Sequence, residues 1–206
     1  MIEMKDILPD TPSGKPEKPD LQLLSFATQQ EFEEWLEKNY TLTSGIWIRF
    51  FKKDSGTPTI SYQEALDVAL CYGWIDGQVK KYDLNSYMQK FTPRRAKSMW
   101  SKRNIDHFTR LEAEGRVRPS GLKEVERAKT DGRWEKAYDS PGNMVVPDDF
   151  MLKISKNKKA LAFFDSLNKT NKYTIGWRLQ TAKNTITRER RMEEILRMME
   201  QEQKFH

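Results

Sequence analysis

The stretch SYQEALDVALCYGWIDGQVKKYDLNSYMQKF, residues 61–91, decides the fold of this chain. Its first half predicts a helix, because Ser61 and Glu64 form a capping box and apolar residues then recur at helical spacing. Gly73 stops that helix, since glycine readily ends a helix in a left-handed conformation. The second half of the stretch predicts strands, so helix and sheet follow each other directly.

The strands after this helix form a predicted β-hairpin. Gln78–Tyr82 and Tyr87–Phe91 flank residues 83–86, and the Asp, Asn and Ser among these four are turn formers. Upstream, Ile46–Phe51 is a β-branched and aromatic run that predicts a half-buried strand. One strand and one hairpin together predict a small antiparallel sheet.

Helices are predicted before and after these strands in the chain. Thr28 and Glu31 cap a first helix of about three turns, Ser98 opens a helix that Gly115 closes, and Ser120 opens another. Pro147-Asp148 starts a further helical stretch, and a last helix ends the chain. The apolar residues expected to face inward at helical spacing are Trp100, Ile105, Phe108 and Leu111 in the first of the later helices, Leu122, Val125 and Ala128 in the second, Ala160, Phe163, Phe164 and Leu167 in the third, and Met192, Ile195, Leu196 and Met199 in the last. The predicted fold class is therefore α+β, mostly helical, with a small antiparallel sheet and a helical C-terminal part.

The chain divides into three predicted segments. Residues 1–20 include the Pro-rich and charged stretch TPSGKPEKPD and predict a disordered or extended leader. Residues 21–146 predict a compact α+β body, and residues 147–206 predict the helical C-terminal part.

Composition excludes several classes of protein. The uncharged stretch Val68–Ile75 is far shorter than the roughly 20 apolar residues that cross a bilayer, so no membrane insertion is expected. The first ten residues lack a basic region followed by an apolar run, which favours a cytoplasmic location. Cys71, the only cysteine, fits a small buried thiol. With two histidines and no phosphate-binding or dinucleotide motif, neither a metal site nor a cofactor is expected.

The net charge of +6 is unevenly distributed. Residues 1–77 carry 7 basic and 13 acidic side chains, whereas residues 78–118 carry 11 and 4. A basic middle segment can attract phosphates, acidic proteins or nucleic acid. A solvated, lysine-rich face with no partner is the alternative interpretation.

The candidate ligand-binding residues surround two motifs. In GWIDG, residues 73–77, two glycines allow close approach to the backbone, and an aromatic and a carboxylate lie between them. In FTPRR and SMWSKRN, residues 91–95 and 98–104, guanidinium groups alternate with aromatics and amides, which is typical of anion-binding or base-stacking surfaces. The candidates are Trp74, Asp76, Arg94, Arg95, Trp100 and Asn104. A packed corner, with Trp74 in the core and Asp76 capping a turn or paired with Arg94, is the structural alternative.

These motifs, in this order, resemble the YdeI/OmpD-associated (OmdA, bacteriocin-protection) family. Further segments that resemble it are Ser44–Trp47, Lys52–Gly56, Tyr62–Asp67, Gly132–Trp134, Ala137-Tyr138, Ala182-Lys183, Thr187-Arg188 and Arg190-Arg191. Ile186 departs from the pattern, because the family usually has glutamate before Thr187-Arg188. The resemblance implies a bacterial cytoplasmic protein of envelope stress, bacteriocin or antimicrobial-peptide protection, with a functional link to an outer-membrane porin, and implies no known reaction.

Three functions follow from these observations. The first is a non-enzymatic binding protein that recognises an anionic small ligand or a protein partner through the candidate residues. The second is a nucleic-acid-binding protein that uses the basic segment 78–118 and the hairpin aromatics. The third is an enzyme with an Asp/Arg pocket, in which Asp76 works with Glu64, Asp67 or His107 as an acid–base pair.

Overall fold

The computed structural model describes residues 21–140 and 142–206. In chain order the elements are β1 (Leu23–Leu24), α1 (Gln29–Asn39), β2 (Ile46–Phe51), α2 (Tyr62–Cys71), β3 (Trp74–Lys81), β4 (Ser86–Pro93), α3 (Lys102–Ala113), α4 (Pro119–Thr130), α5 (Asp148–Ile154), α6 (Lys158–Ser166), α7 (Lys169–Gln180) and α8 (Thr185–Glu200). The α+β class is confirmed. The predicted disordered leader, residues 1–20, lies outside the described residues.

The four described strands form one mixed sheet in the order β1-β2-β4-β3. Strands β3 and β4 make the predicted hairpin, and β4 also pairs antiparallel with β2, so that Ile46 lies opposite Phe91. The antiparallel expectation is incomplete, because β1 adds a parallel pairing to β2. A strand of two residues is too short to show an alternating pattern in the sequence.

The main core lies on one face of this sheet. Along β2, the buried Ile46, Ile48 and Phe50 alternate with partly exposed side chains, as the two-residue period of a strand requires. Helices α1 and α2 contribute buried apolar side chains to the same cluster, Phe32 and Leu66 among them. The face of β2 that carries the partly exposed side chains points away from this core.

A second hydrophobic cluster joins the helices after residue 147. Its fully buried members include Phe150, Ile154, Ile175 and Ile195. The predicted final helix is confirmed as α8. The stretch predicted as one helical run after Pro147 is divided into two helices, α5 and α6. Helix α7 is not predicted from the sequence. The boundary between body and C-terminal part at residue 146 stays a prediction.

Two helix starts differ from the predictions. Ser98 does not open α3; Ser101 does, since its hydroxyl accepts a hydrogen bond from the backbone N–H of Asn104. Trp100 therefore precedes the helix, although it is buried as expected. In α4, which begins at Pro119, Leu122 is exposed rather than inward-facing.

The buried thiol of Cys71 agrees with its interpretation as a core residue. Burial raises the pKa of this thiol to about 11, so the nucleophilic thiolate is disfavoured at neutral pH. Among residues 21–140 and 142–206, no helix has the length and apolarity to span a membrane, and no group of side chains is arranged to bind a metal ion.

Helices α2 and α4 approach each other at a glycine. A Cβ atom on Gly121 would lie 2.3 Å from the carbonyl oxygen of Cys71, which is backbone and cannot rotate away. This contact lets α4 pack directly on the end of α2. The close approach therefore requires glycine at position 121.

We expect Gly121→Ala to lower the free energy of unfolding by about 1–3 kcal/mol through overpacking, although alanine is the better helix former by about 1 kcal/mol. Gly176→Ala is the matched control inside α7, because its Cβ would meet the flexible side chain of Met144, 2.7 Å away at Cγ. Urea unfolding followed by tryptophan fluorescence measures both variants. Equal losses of stability in the two variants would contradict the inference that a Cβ atom at position 121 clashes with the backbone of α2.

Candidate ligand-binding cleft

A recess of about 290 Å³ lies at the β3 edge of the sheet, and we call it the cleft. Its walls come from β3, from the N-terminal turns of α2 and α3, from the segment 138–140, and from α7. The lining residues are Tyr62, Ile75, Asp76, Ser101, Arg103, Asn104, Tyr138, Ser140 and Tyr173. Two of the six predicted site residues, Asp76 and Asn104, are among them.

Asp76 takes its position from the strand register. It pairs with Phe91, and residues directly opposite in a sheet share a face, so the carboxylate lies on the face that the helices cover. One carboxylate oxygen, Oδ2, accepts hydrogen bonds from the Tyr62 hydroxyl at 3.0 Å and from the Gln89 side-chain amide at 3.1 Å. The other oxygen, Oδ1, accepts no hydrogen bond from any described residue. Asp76 therefore presents an open acceptor at the cleft.

Three tyrosine side chains, all protonated, line the cleft together with this carboxylate. Burial raises the pKa of Tyr62 well above its ordinary value, and the neighbouring charge of Asp76 raises it further. Burial also raises the pKa values of Tyr138 and Tyr173. At neutral pH all three phenols keep their protons, so each can donate a hydrogen bond.

Asn104 supplies an amide that the protein leaves unpaired. The residue is only 7% exposed, and it lies in the first turn of α3, where the Ser101 cap holds its backbone. Its side-chain amide makes no hydrogen bond to the described residues. Its polar atoms are not fully enclosed by the protein, because the buried side-chain atoms without a partner do not include them. The amide therefore faces the open space of the cleft, where it can bond a ligand or water.

Arg103 is the positive charge of the cleft. Its guanidinium is exposed, donates a hydrogen bond from Nη2 to the side-chain oxygen of Gln63 at 3.2 Å, and lies 5.8 Å from the centre of the Tyr62 ring. The N-terminus of α3 adds a partial positive charge on the same side. The cleft can therefore bind a negative group beside Arg103 and a hydrogen-bond donor at Asp76.

The other predicted site residues do not line the cleft. Trp74 is fully buried, and its indole N–H donates to the carbonyl oxygen of Tyr40 at 2.9 Å, which makes it a core residue. Trp100 is also buried and packs edge-on against Trp134. Arg95 is exposed on the loop after β4. None of these three side chains is placed with Asp76 and Asn104.

Arg94 lies beneath the surface rather than on it. It is 6% exposed, its guanidinium carbon lies 3.4 Å from the centre of the Trp100 ring, and Nη1 donates to the carbonyl oxygen of Met99. Its Nε and Nη2 atoms have no partner among the described residues. Burial lowers the pKa of Arg94 to about 9. The proposed ion pair between Arg94 and Asp76 is not formed.

The acid–base candidates are engaged in structural contacts. Glu64 completes the cap of α2 by accepting the backbone N–H of Ser61. Asp67 is buried and accepts from His107 Nδ1 at 2.8 Å and from Arg110. The lining of the cleft contains one carboxylate, that of Asp76.

Sequence reasoning missed the aromatic wall of the cleft. Tyr62 and Tyr138 lie in segments that carry the family resemblance, but their neighbourhood depends on long-range packing. Tyr173 lies on α7, a helix without a clear apolar stripe, and no sequence signal points to it. Arg103 belongs to the basic segment, and no sequence signal distinguishes it from Lys102, which shares the first turn of α3.

Two family models match the chain. Residues 24–124 match the family described as Domain of unknown function (DUF8412), and residues 143–202 match the family described as Bacteriocin-protection, YdeI or OmpD-Associated. The second match contains Ala182-Lys183 and the departure at Ile186, whose side chain is 78% exposed on α8. No curated protein and no solved structure matches the chain.

The burial of Arg94 predicts how its variants behave. Arg94→Met keeps the packing on Trp100 and removes a buried charge with two unpaired nitrogens. We therefore expect the free energy of unfolding to stay unchanged or to rise by about 1–4 kcal/mol. Arg94→Ala leaves a cavity, and we expect a loss of about 2–4 kcal/mol. Urea unfolding at pH 7 measures both, and a large loss in Arg94→Met would show that the guanidinium itself is needed.

Proposed function

Because residues 143–202 match the model of the bacteriocin-protection, YdeI or OmpD-associated family, we propose that this protein is a non-enzymatic binding protein of bacteriocin or antimicrobial-peptide protection. Its ligand in this proposal is an anionic small molecule that also carries a hydrogen-bond donor, and its place of action is the cytoplasm. The cleft is the binding site.

The unpaired amide of Asn104 is the observation that carries this proposal. Little of the residue is exposed, yet its amide is open to the cleft and has no partner among the described residues. Here the amide shares a recess with the open Oδ1 atom of Asp76 and with three protonated tyrosines. Polar groups that converge without partners in one recess are typical of small-molecule sites.

The charges of the cleft favour a ligand of mixed character. Asp76 attracts an amine, amide or hydroxyl donor, while Arg103 attracts a carboxylate or phosphate. A fully anionic ligand would be repelled by Asp76 at short range. The proposed ligand therefore has its negative charge at one end and its donor at the other.

Nucleic acid is less well supported as the partner. Three aromatic side chains of the hairpin and of β2 each have one of the protein's own cations over the ring. Lys80 lies 5.0 Å from the centre of the Trp47 ring. The guanidinium carbon of Arg49 lies 4.4 Å from the ring centres of both Phe51 and Tyr82. Base stacking would need these ring faces to be open.

A thermal-shift screen of amino acids, metabolite carboxylates and nucleotides tests the proposal on the full chain. A ligand that binds only the folded state at about 100 times its Kd adds about 2.7 kcal/mol, which raises the Tm by roughly 5–10 °C for a chain of this size. We expect the shift to vanish in Asp76→Asn and in Asn104→Ala. These changes remove the open acceptor and the unpaired amide.

Asp106→Asn is the matched control, because Asp106 is an exposed carboxylate on α3 outside the cleft. It should keep the full ligand-induced shift. A hit that survives both cleft variants, or a screen in which no compound raises the Tm, would contradict the assignment of the cleft.

A further inference from the structure

A second recess, of about 300 Å³, lies where the helical C-terminal part meets the body, and we call it the basic pocket. Three connections form it: the loop between β4 and α3, the segment after α4, and the link between α7 and α8. The side chains that matter here are Lys97, Met99, Arg133, Lys136, Ala182 and Lys183. None of the six lines the cleft.

Positive charge dominates the basic pocket. Lys97, Lys136 and Lys183 are exposed, and none of them forms an ion pair with a carboxylate of the described residues. The one acid in the lining, Asp131, is already paired with Arg133 at 2.8 Å. The pocket thus contains four cations and a single, neutralised carboxylate.

Arg133 is held in place within this group. Its side chain is 13% exposed, and its Nη1 atom donates to the backbone carbonyl of Ser98 at 2.6 Å. Its Nη2 atom has no partner among the described residues, but it is buried and does not open to the pocket. Arg133 therefore adds a fixed positive charge beside three exposed ammonium groups, and ammonium groups bind phosphate as point charges.

Like charges gathered around a recess repel one another and raise the local positive potential. An anion with more than one negative charge relieves this repulsion at several lysines at once. Beside the lysines, Met99 and Ala182 are partly exposed apolar side chains, and they offer a surface to an organic group.

We propose that the basic pocket binds a phosphorylated small molecule. Lys97, Lys136 and Lys183 surround the phosphoryl oxygens, Arg133 adds a fixed positive charge beside them, and the organic part packs against Met99 and Ala182. This site is separate from the cleft and does not depend on the function proposed for it.

Isothermal titration of the full chain with inorganic pyrophosphate, at about 50 mM salt, tests the charge of this site. We expect binding by the natural sequence and a loss of about tenfold or more in affinity in Lys136→Ala/Lys183→Ala. The control is Lys153→Ala/Lys156→Ala, which removes the same charge from exposed lysines outside the pocket, and it should bind as before. Equal weakening in the two double variants, or no binding by the natural sequence, overturns the proposal.

A second titration distinguishes an organic phosphate from free phosphate. Phenyl phosphate should bind several-fold more tightly than inorganic phosphate, and Met99→Ala should remove most of that difference. Circular dichroism checks that each variant is folded. Phenyl phosphate that binds no more tightly than inorganic phosphate overturns the assignment of the organic part.

Discussion

The turn at Gly73 is the constraint on which the rest of the structure depends. Its φ of +77° is a conformation that side chains resist, and a Cβ there would lie 2.9 Å from the backbone oxygen of Ser120. The Gly73 carbonyl accepts the backbone N–H of Arg94, and the Cys71 carbonyl accepts that of Arg118. The end of α2 is therefore joined by backbone hydrogen bonds to the end of β4 and to the lead-in of α4. Any side chain at position 73 would disturb all three elements together.

The cleft follows from this turn. Strand β3 begins immediately after Gly73, and Asp76 is its third residue. The register between β3 and β4 shifts between Asp76 and Val79, with one extra residue on β3, and such a bulge re-aims the side chains beside it. Because α2 packs on β3, Tyr62 at the start of that helix can reach the Asp76 carboxylate. The open acceptor is thus a product of turn, bulge and helix packing.

The elements that depend on residues close in the chain could be predicted from the sequence. The cap at Ser61 and the strand Ile46–Phe51 depend on residues close in the chain, and both are found as predicted. The prediction that Ser98 caps α3 is wrong, because Ser101, three residues later, takes that role and accepts the N–H of Asn104. Long-range burial was not predictable in the same way.

The candidate site shows the same division. Asp76 and Asn104 line one recess, but no local pattern distinguishes them from Trp74, Trp100 or Arg94, which the fold buries. An arginine beside a tryptophan has the same sequence signature on a surface as in a core. The difference lies in what packs over them, and that is decided by residues far away in the chain.

The helical C-terminal part contributes to both recesses, so neither is complete in the body alone. Tyr173 on α7 closes the cleft, and Lys183, in the link to α8, closes the basic pocket. Hydrogen bonds join the two parts between these residues. The backbone N–H of Asp139 donates to Gln180 Oε1 at 3.3 Å, and Gln180 Nε2 donates to the Asp139 carboxylate at 3.0 Å. Asp139 also pairs with Lys102. A ligand in either recess therefore contacts both parts and stabilises their association. Binding and the packing of the helical C-terminal part against the body are thermodynamically linked in this arrangement.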